Sequence, residues 1–131
     1  MRDSAVLANV RLQKARACLQ SAERELAAGE FPTAVNRSYY CIFHSMRAVL
    51  AYDEFDSKKH SGIISAFHKN YIKTRVFSAQ FSDIIDNAFE IRNDSDYDDF
   101  FLISKADIVA QIENARTFLE AVEKYISQKT Q

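Results

Sequence analysis

The sequence predicts an all-α protein, an antiparallel bundle of four to five helices forming a single domain over residues 1–131. Three observations carry this expectation. Apolar residues recur at spacings of three and four through most of the chain, the period of a helix with one buried face. Only two glycines and one proline interrupt the 131 residues, whereas a sheet protein of this size needs turn signals every ~8–12 residues. Hydrophobic side chains make up 47% of the chain, enough at this length to build a core without staples.

The first helix is expected over residues 4–28, with Val6, Leu7, Val10, Leu12, Leu19 and Leu26 as its apolar positions and Gly29 as its stop. Pro32 suits the first turn of the next helix, where its missing N–H costs little. That helix, PTAVNRSYYCIFHSMRAVLAY, has two distinct sides. Val35, Tyr39, Ile42, Met46 and Val49 form an apolar side, and Arg37, Tyr40, His44 and Arg47 form a basic, ring-bearing side. A third helix over residues 57–73 is expected to be capped by Asp56 or Ser57 and to pack through Ile63, Ile64, Phe67 and Tyr71. Ser78 caps a fourth, whose stripe Phe81, Ile85, Ala88 ends on Arg92. The last helix opens with the capping box Ser104 to Asp107 and carries the seam Ile108, Ile112, Ala115, Leu119, Val122 and Ile126.

Composition excludes several classes of protein. The net charge is -1, so no general nucleic-acid signal arises from it. The halves differ, however: residues 1–75 hold 12 Lys/Arg against 7 Asp/Glu, and residues 76–131 hold 5 against 11. Such asymmetry either orients a partner or neutralises itself within the bundle. Cys18 and Cys41 form no CxxC pair and read as buried thiols in a reducing compartment. No secretory signal and no membrane-length apolar run is evident, so a cytoplasmic location without membrane association is expected.

The chemistry-bearing stretch is EIRNDSDYDDF, residues 90–100. Arg92 continues an apolar stripe, where an unpaired guanidinium is expensive and so must find an anion or an interface. The aspartates that follow begin like a calcium loop, but the sixth position is Asp99 instead of Gly and the twelfth is Lys105 instead of Glu. They are expected to form a solvated turn whose carboxylates pair with Arg92. Neither a metal nor a cofactor motif occurs. Arg92 can bind a phosphate or stabilise charge during phosphodiester cleavage, with His44 moving a proton and Tyr97 donating a hydrogen bond. Arg37, Tyr40, Arg47 and Arg92 are the candidate RNA- or nucleotide-binding set. The competing reading makes these residues a packed polar network. His60 reads as a first-turn helix residue beside Lys58 and Lys59, and His68 as a solvated side chain.

In order, AVNRSYYCIFHSMRAVL, SKKHSGIISAFHKNYIKTRVF and FEIRNDSDYDD resemble the HEPN domain in its small stand-alone form, over roughly residues 5–127. The resemblance implies a helical bundle that commonly dimerises and often partners a minimal nucleotidyltransferase in toxin–antitoxin modules. Many members are metal-independent ribonucleases using an Arg followed about four to six residues later by His. The arginine falls on Arg92. Residues 93–100 contain no histidine; Tyr97 occupies that range and only loosely matches a tyrosine that some members offer for nucleotidyl transfer. The main expectation is therefore a homodimeric, HEPN-type binding and regulatory component of a nucleotidyltransferase-linked, nucleic-acid-related module. The alternative is a metal-independent endoribonuclease toxin using Arg92 with a non-standard proton-transfer residue.

Overall fold

The computed structural model describes residues 2–129, and among these it shows five α-helices and no strand. They are α1 (Arg2–Ala27), α2 (Phe31–Tyr52), α3 (His60–Phe67, continued by a π-helical turn His68–Ile72), α4 (Gln80–Tyr97) and α5 (Lys105–Lys129). The first break is the glycine stop that the sequence requires. Gly29 has φ 77°, and the Glu30 and Gly29 amides donate to the Glu25 and Leu26 carbonyls at 2.9 and 3.1 Å. This is a Schellman closure, which needs a residue free to adopt the left-handed conformation. Pro32 follows in the first turn of α2.

Helix α2 is the axis of the bundle and packs against each of the others. Its apolar side, Val35, Tyr39, Ile42, Met46 and Val49, is fully buried, and the seam of α5 from Ile108 to Ile126 closes over the same core. Contacts fix the directions. Arg16 and Arg116 pair with Glu123 and Glu23, so α1 and α5 are antiparallel. Cys41 and Tyr52 bond the Ala115 and Lys129 carbonyls, so α2 and α5 run parallel. Phe67, Phe77, Phe81 and Phe118 meet with centroids 5.3 to 6.3 Å apart, an aromatic plug where α3, α4 and α5 converge.

The structure corrects two local expectations. Helix α3 begins at His60, not at residue 57, because Asp56 and Ser57 spend their side chains on a turn before it. Asp56 Oδ1 accepts from the Ser57 amide at 2.8 Å, and Ser57 Oγ from the Lys59 amide at 3.2 Å. The stretch after Arg92 becomes a turn only from Asp98 onward. Helix α4 runs on through Tyr97, because Arg92 and Asp96 pair across one helical turn at 3.0 Å and offset the poor helix propensity of Asn and Asp. The Ser104 cap stands as expected, its hydroxyl accepting from the Asp107 amide at 3.1 Å.

Candidate functional site

Arg92 lies inside an aromatic cluster built by α2 and α3. Its guanidinium carbon is 5.3 Å from the Tyr39 ring centroid and 5.7 Å from that of Tyr40, and Nη2 donates to the Tyr40 hydroxyl at 3.4 Å. Nε comes within 3.0 Å of Asp96 Oδ2, yet its hydrogen is not aimed at the carboxylate and has no hydrogen-bond acceptor. The side chain is 18% exposed. A guanidinium resting on two π faces with an unspent N–H is ready for an anion.

His60 is the second member of the cluster. Its ring stacks on Phe43 with centroids 4.0 Å apart and lies 5.9 and 5.8 Å from the Tyr39 and Tyr40 rings. Nδ1 is 2.9 Å from the Tyr39 hydroxyl, which leaves Nε2 for a substrate. The start of α3 is clamped to hold this position. Asp56 is gripped by Arg11 at 3.1 Å and Arg47 at 3.5 Å, and a Cβ at Gly62 would collide with the Ser57 side chain. Arg11 is itself buried and also donates to the Arg47 carbonyl. Although burial opposes it, the Ser57 amide and Arg11 hold the Asp56 carboxyl below its usual range, so the clamp stays charged.

The candidate residues on α2 border the same rings. His44 is 5.8 Å from Tyr40, Arg37 lies over Tyr40 at 5.8 Å, and Arg47 over Phe43 at 5.9 Å. Burial, followed by Arg47 and more distant cations, brings the His44 imidazole down to about 4, and its Nδ1 is buried without a partner. Burial, then Arg92 and Arg47, also lowers His60. Burial pushes the Tyr39 phenol up despite Arg92. At neutral pH these groups are two neutral imidazoles, a neutral phenol and a fixed cation.

Tyr97 is not part of the cluster. It is 78% exposed at the end of α4, beside the α4–α5 link in which Phe100 and Leu102 are 92% and 93% exposed. His68 is bound rather than merely solvated: Nε2 is 3.1 Å from Asp86, and Nδ1 is 3.5 Å from the Ser82 hydroxyl. Among the described residues, no group of three or more His, Cys, Asp or Glu side chains converges as metal ligands, and no helix is long and apolar enough to cross a membrane.

Sequence reasoning brought Arg92, Tyr40 and His44 forward; it read His60 as a first-turn helix residue and Tyr39 as core, which they are, without foreseeing that they meet beside Arg92. One signal for them existed. Tyr39 stands on the core side of α2, and a buried tyrosine hydroxyl needs a partner; the partner lies on another helix, where no spacing rule reaches.

Comparison with known proteins agrees with this architecture. The HEPN domain model matches residues 8–125. A UPF0332 protein of Thermotoga maritima is 32% identical over 87% of this chain and 86% of its own length. A protein described as a putative toxin from Methanocaldococcus jannaschii is 30% identical over 90% of this chain and 80% of its own. A UPF0332 protein of Archaeoglobus fulgidus is 25% identical over 90% and 94%.

Proposed function

Because the chain belongs to the HEPN domain family, with relatives described as putative toxins, we propose that it is an RNA-cleaving member in which His60 supplies the proton transfer that no residue after Arg92 can. This favours the endoribonuclease reading over the purely regulatory one. The observation that carries it is the shared seat of Arg92 and His60 on the Tyr39 and Tyr40 rings.

In the proposed step the RNA 2′-oxygen attacks the adjacent phosphorus as the bond from phosphorus to the 5′-oxygen breaks. Nε2 of His60 takes the 2′ proton while Nδ1–H donates to the Tyr39 hydroxyl, the tautomer a base role requires. Arg92 binds the phosphate oxygens and stabilises their growing charge. The leaving 5′-oxygen receives a proton from water or from the imidazolium just formed. The products are a 2′,3′-cyclic phosphate and a 5′-hydroxyl. His44, held neutral down to about pH 4 by its surroundings, borders the Tyr40 ring, and Arg37, Tyr40 and Arg47 contact the strand.

A minimal nucleotidyltransferase fits as regulator of this activity through the exposed α4–α5 link, where Tyr97, Phe100 and Leu102 stand out from the surface. The deciding experiment incubates mixed RNAs with the purified protein in EDTA and compares the folded variants Arg92→Ala, His60→Ala and His44→Ala. Cleavage lost with the first two, ending in cyclic phosphate, supports the proposal. Absence of cleavage by the unaltered protein returns the reading to a binding and regulatory role.

A further inference from the structure

From Ser57 to Ser82 the chain contains no acidic residue, yet it carries Lys58, Lys59, Lys69, Lys73 and Arg75. All five are exposed, and among the described residues none makes an ion pair. The segment spans the turn before α3, α3 with its π-helical continuation, and the connection into α4: Lys69 lies in the π turn, Lys58 and Lys59 just before α3, and Lys73 and Arg75 just after it. Along it, Ser61, Ser65 and Lys69 follow at four-residue spacing, all exposed, so hydroxyls and an ammonium share one outward stripe. The stripe ends at a surface cavity of about 490 Å³ lined by Ser65, His68, Lys69, Ile72 and Lys73. His68 is fixed there by Asp86 and Ser82.

The π turn matters for this geometry. The Lys73 amide donates to the His68 carbonyl at 2.8 Å, a five-residue closure that widens the helix beside His68 and the two lysines. Helix α3 runs antiparallel to α4, with His60 at the Arg92 end and His68 at the Ser82 end. The helical rise places the two histidines about 12 Å apart along α3. Asp94, Asp96, Asp98 and Asp99 lie at and just beyond the C-terminal end of α4, with Asp96 already paired to Arg92, so the acid-free direction from Arg92 is along α3.

We infer that the outer face of α3 and its π turn, with the lysines at its two ends, is a single-stranded RNA track, with a second phosphate-binding site in the cavity beside His68, where Ser65, Lys69 and Lys73 supply the donors. It rests on the RNA-cleavage reading above and extends it: the strand enters at Arg92 and His60 and leaves along the acid-free helix. Charge selects the occupant. Five unpaired cations, serine hydroxyls and no carboxylate in the segment itself favour a polyanion, and a ~12 Å separation between the two sites suits successive contacts to one flexible strand.

The test measures binding apart from cleavage. In an Arg92→Ala background, affinity for a labelled single-stranded RNA is followed by fluorescence anisotropy across a salt series. Lys69→Ala with Lys73→Ala should weaken binding several-fold and lower the salt slope by about 1.4, the loss expected for two single-strand phosphate contacts. Arginine at both positions should restore it, and alanine at the exposed Lys105 and Lys124 on α5 should leave it unchanged. Equal binding with and without the two lysines, an equal loss in the α5 control, or no RNA binding at all would overturn the track. Cleavage by the unaltered protein is measured in parallel. RNA cleavage with lysine-independent binding sinks the track alone; lysine-dependent binding without cleavage supports the track and sinks the catalytic reading.

Discussion

Arg92 and His60 rest against the same two tyrosine rings, Arg92 at 5.3 and 5.7 Å and His60 at 5.9 and 5.8 Å from the Tyr39 and Tyr40 centroids. Burial first, and then the fields of Arg92 and Arg47, lower the imidazole, so His60 is in its basic form at neutral pH while a cation waits beside it. Removing Arg92 should cost roughly 10²–10³ in cleavage rate, the scale of one lost charge-stabilising donor. Removing His60 should cost about 10²–10⁴. Tyr97→Phe should leave the rate unchanged, because that side chain stands in solvent. Initial rates in EDTA decide this, and a His60→Ala enzyme as fast as the unaltered one would remove His60 from the mechanism.

The pH profile should carry the mark of the same field. A base must be neutral, so cleavage should rise with pH through the His60 pKa, which burial, Arg92 and Arg47 set below the usual histidine value of about 6.5. Arg47→Met removes one of those cations, and the rising limb should then move to higher pH. Imidazole NMR titration of both proteins gives an independent reading of the shift. A profile that stays put while the variant remains folded would mean that His60 is not the titrating group.

His44 makes a separate statement about stability. Its imidazole titrates near 4 in the folded protein and near 6.5 in an unfolded chain, so the unfolded state binds more protons between those values. Stability from this group is fully present above about pH 6.5, is lost as pH falls, and levels off below about 4. His44→Phe keeps the ring and abolishes the titration. Urea midpoints for the two proteins should therefore diverge as pH falls from 7 to 4.5, with the variant less affected.

The helices were legible because their information is local. Gly29, Pro32, the Ser104 cap and the α2 and α5 stripes each state a boundary or a buried face within a few residues. The start of α3 was misplaced because Asp56 and Ser57 look like caps, yet Asp56 is recruited by Arg11 and Arg47 on other helices and Ser57 closes the turn onto the Lys59 amide. The aspartates after Arg92 looked like a turn because their propensity favours one; the pairing of Arg92 with Asp96 and the stripe behind it overrode that. His60 was placed in its helix turn, but the role proposed for it depends on Tyr39 and Arg92, and residues so far apart share no period.

The α5 seam offers a direct test of the core. Ile112 and Leu119 are each 3% exposed and lie in the cluster with Phe118 and Ile108. Truncating either to Ala should destabilise the protein by roughly 2–5 kcal/mol, the transfer loss plus the cavity left behind. Denaturant midpoints should fall while the slope of the transition holds. Unchanged midpoints in both variants would contradict the packing described for α5.

Self-association is the last expectation, and we propose the α4–α5 link as its seat. On α2, Tyr40 is already partly covered by His60 of α3 and Arg92 of α4, with Arg37 over Tyr40 and Arg47 over Phe43, which leaves this face a poor site for a large apolar contact. The α4–α5 link has the opposite character. Phe100 and Leu102 are 92% and 93% exposed, next to a cavity of about 480 Å³ lined by Phe31, Pro32, Phe101 and Ile103 among others. Burying such a side chain is worth about 1.5–3 kcal/mol, and a two-fold axis would count each one twice. Sedimentation at micromolar concentration should show a species of twice the 15.0 kDa chain mass, and Phe100→Asp with Leu102→Asp should return it to one chain. A monomer before substitution would refute the homodimer and leave the link to a different partner. A dimer that survives both substitutions would place the interface elsewhere, with the α2 side next to be tested by sedimenting Tyr40→Ala.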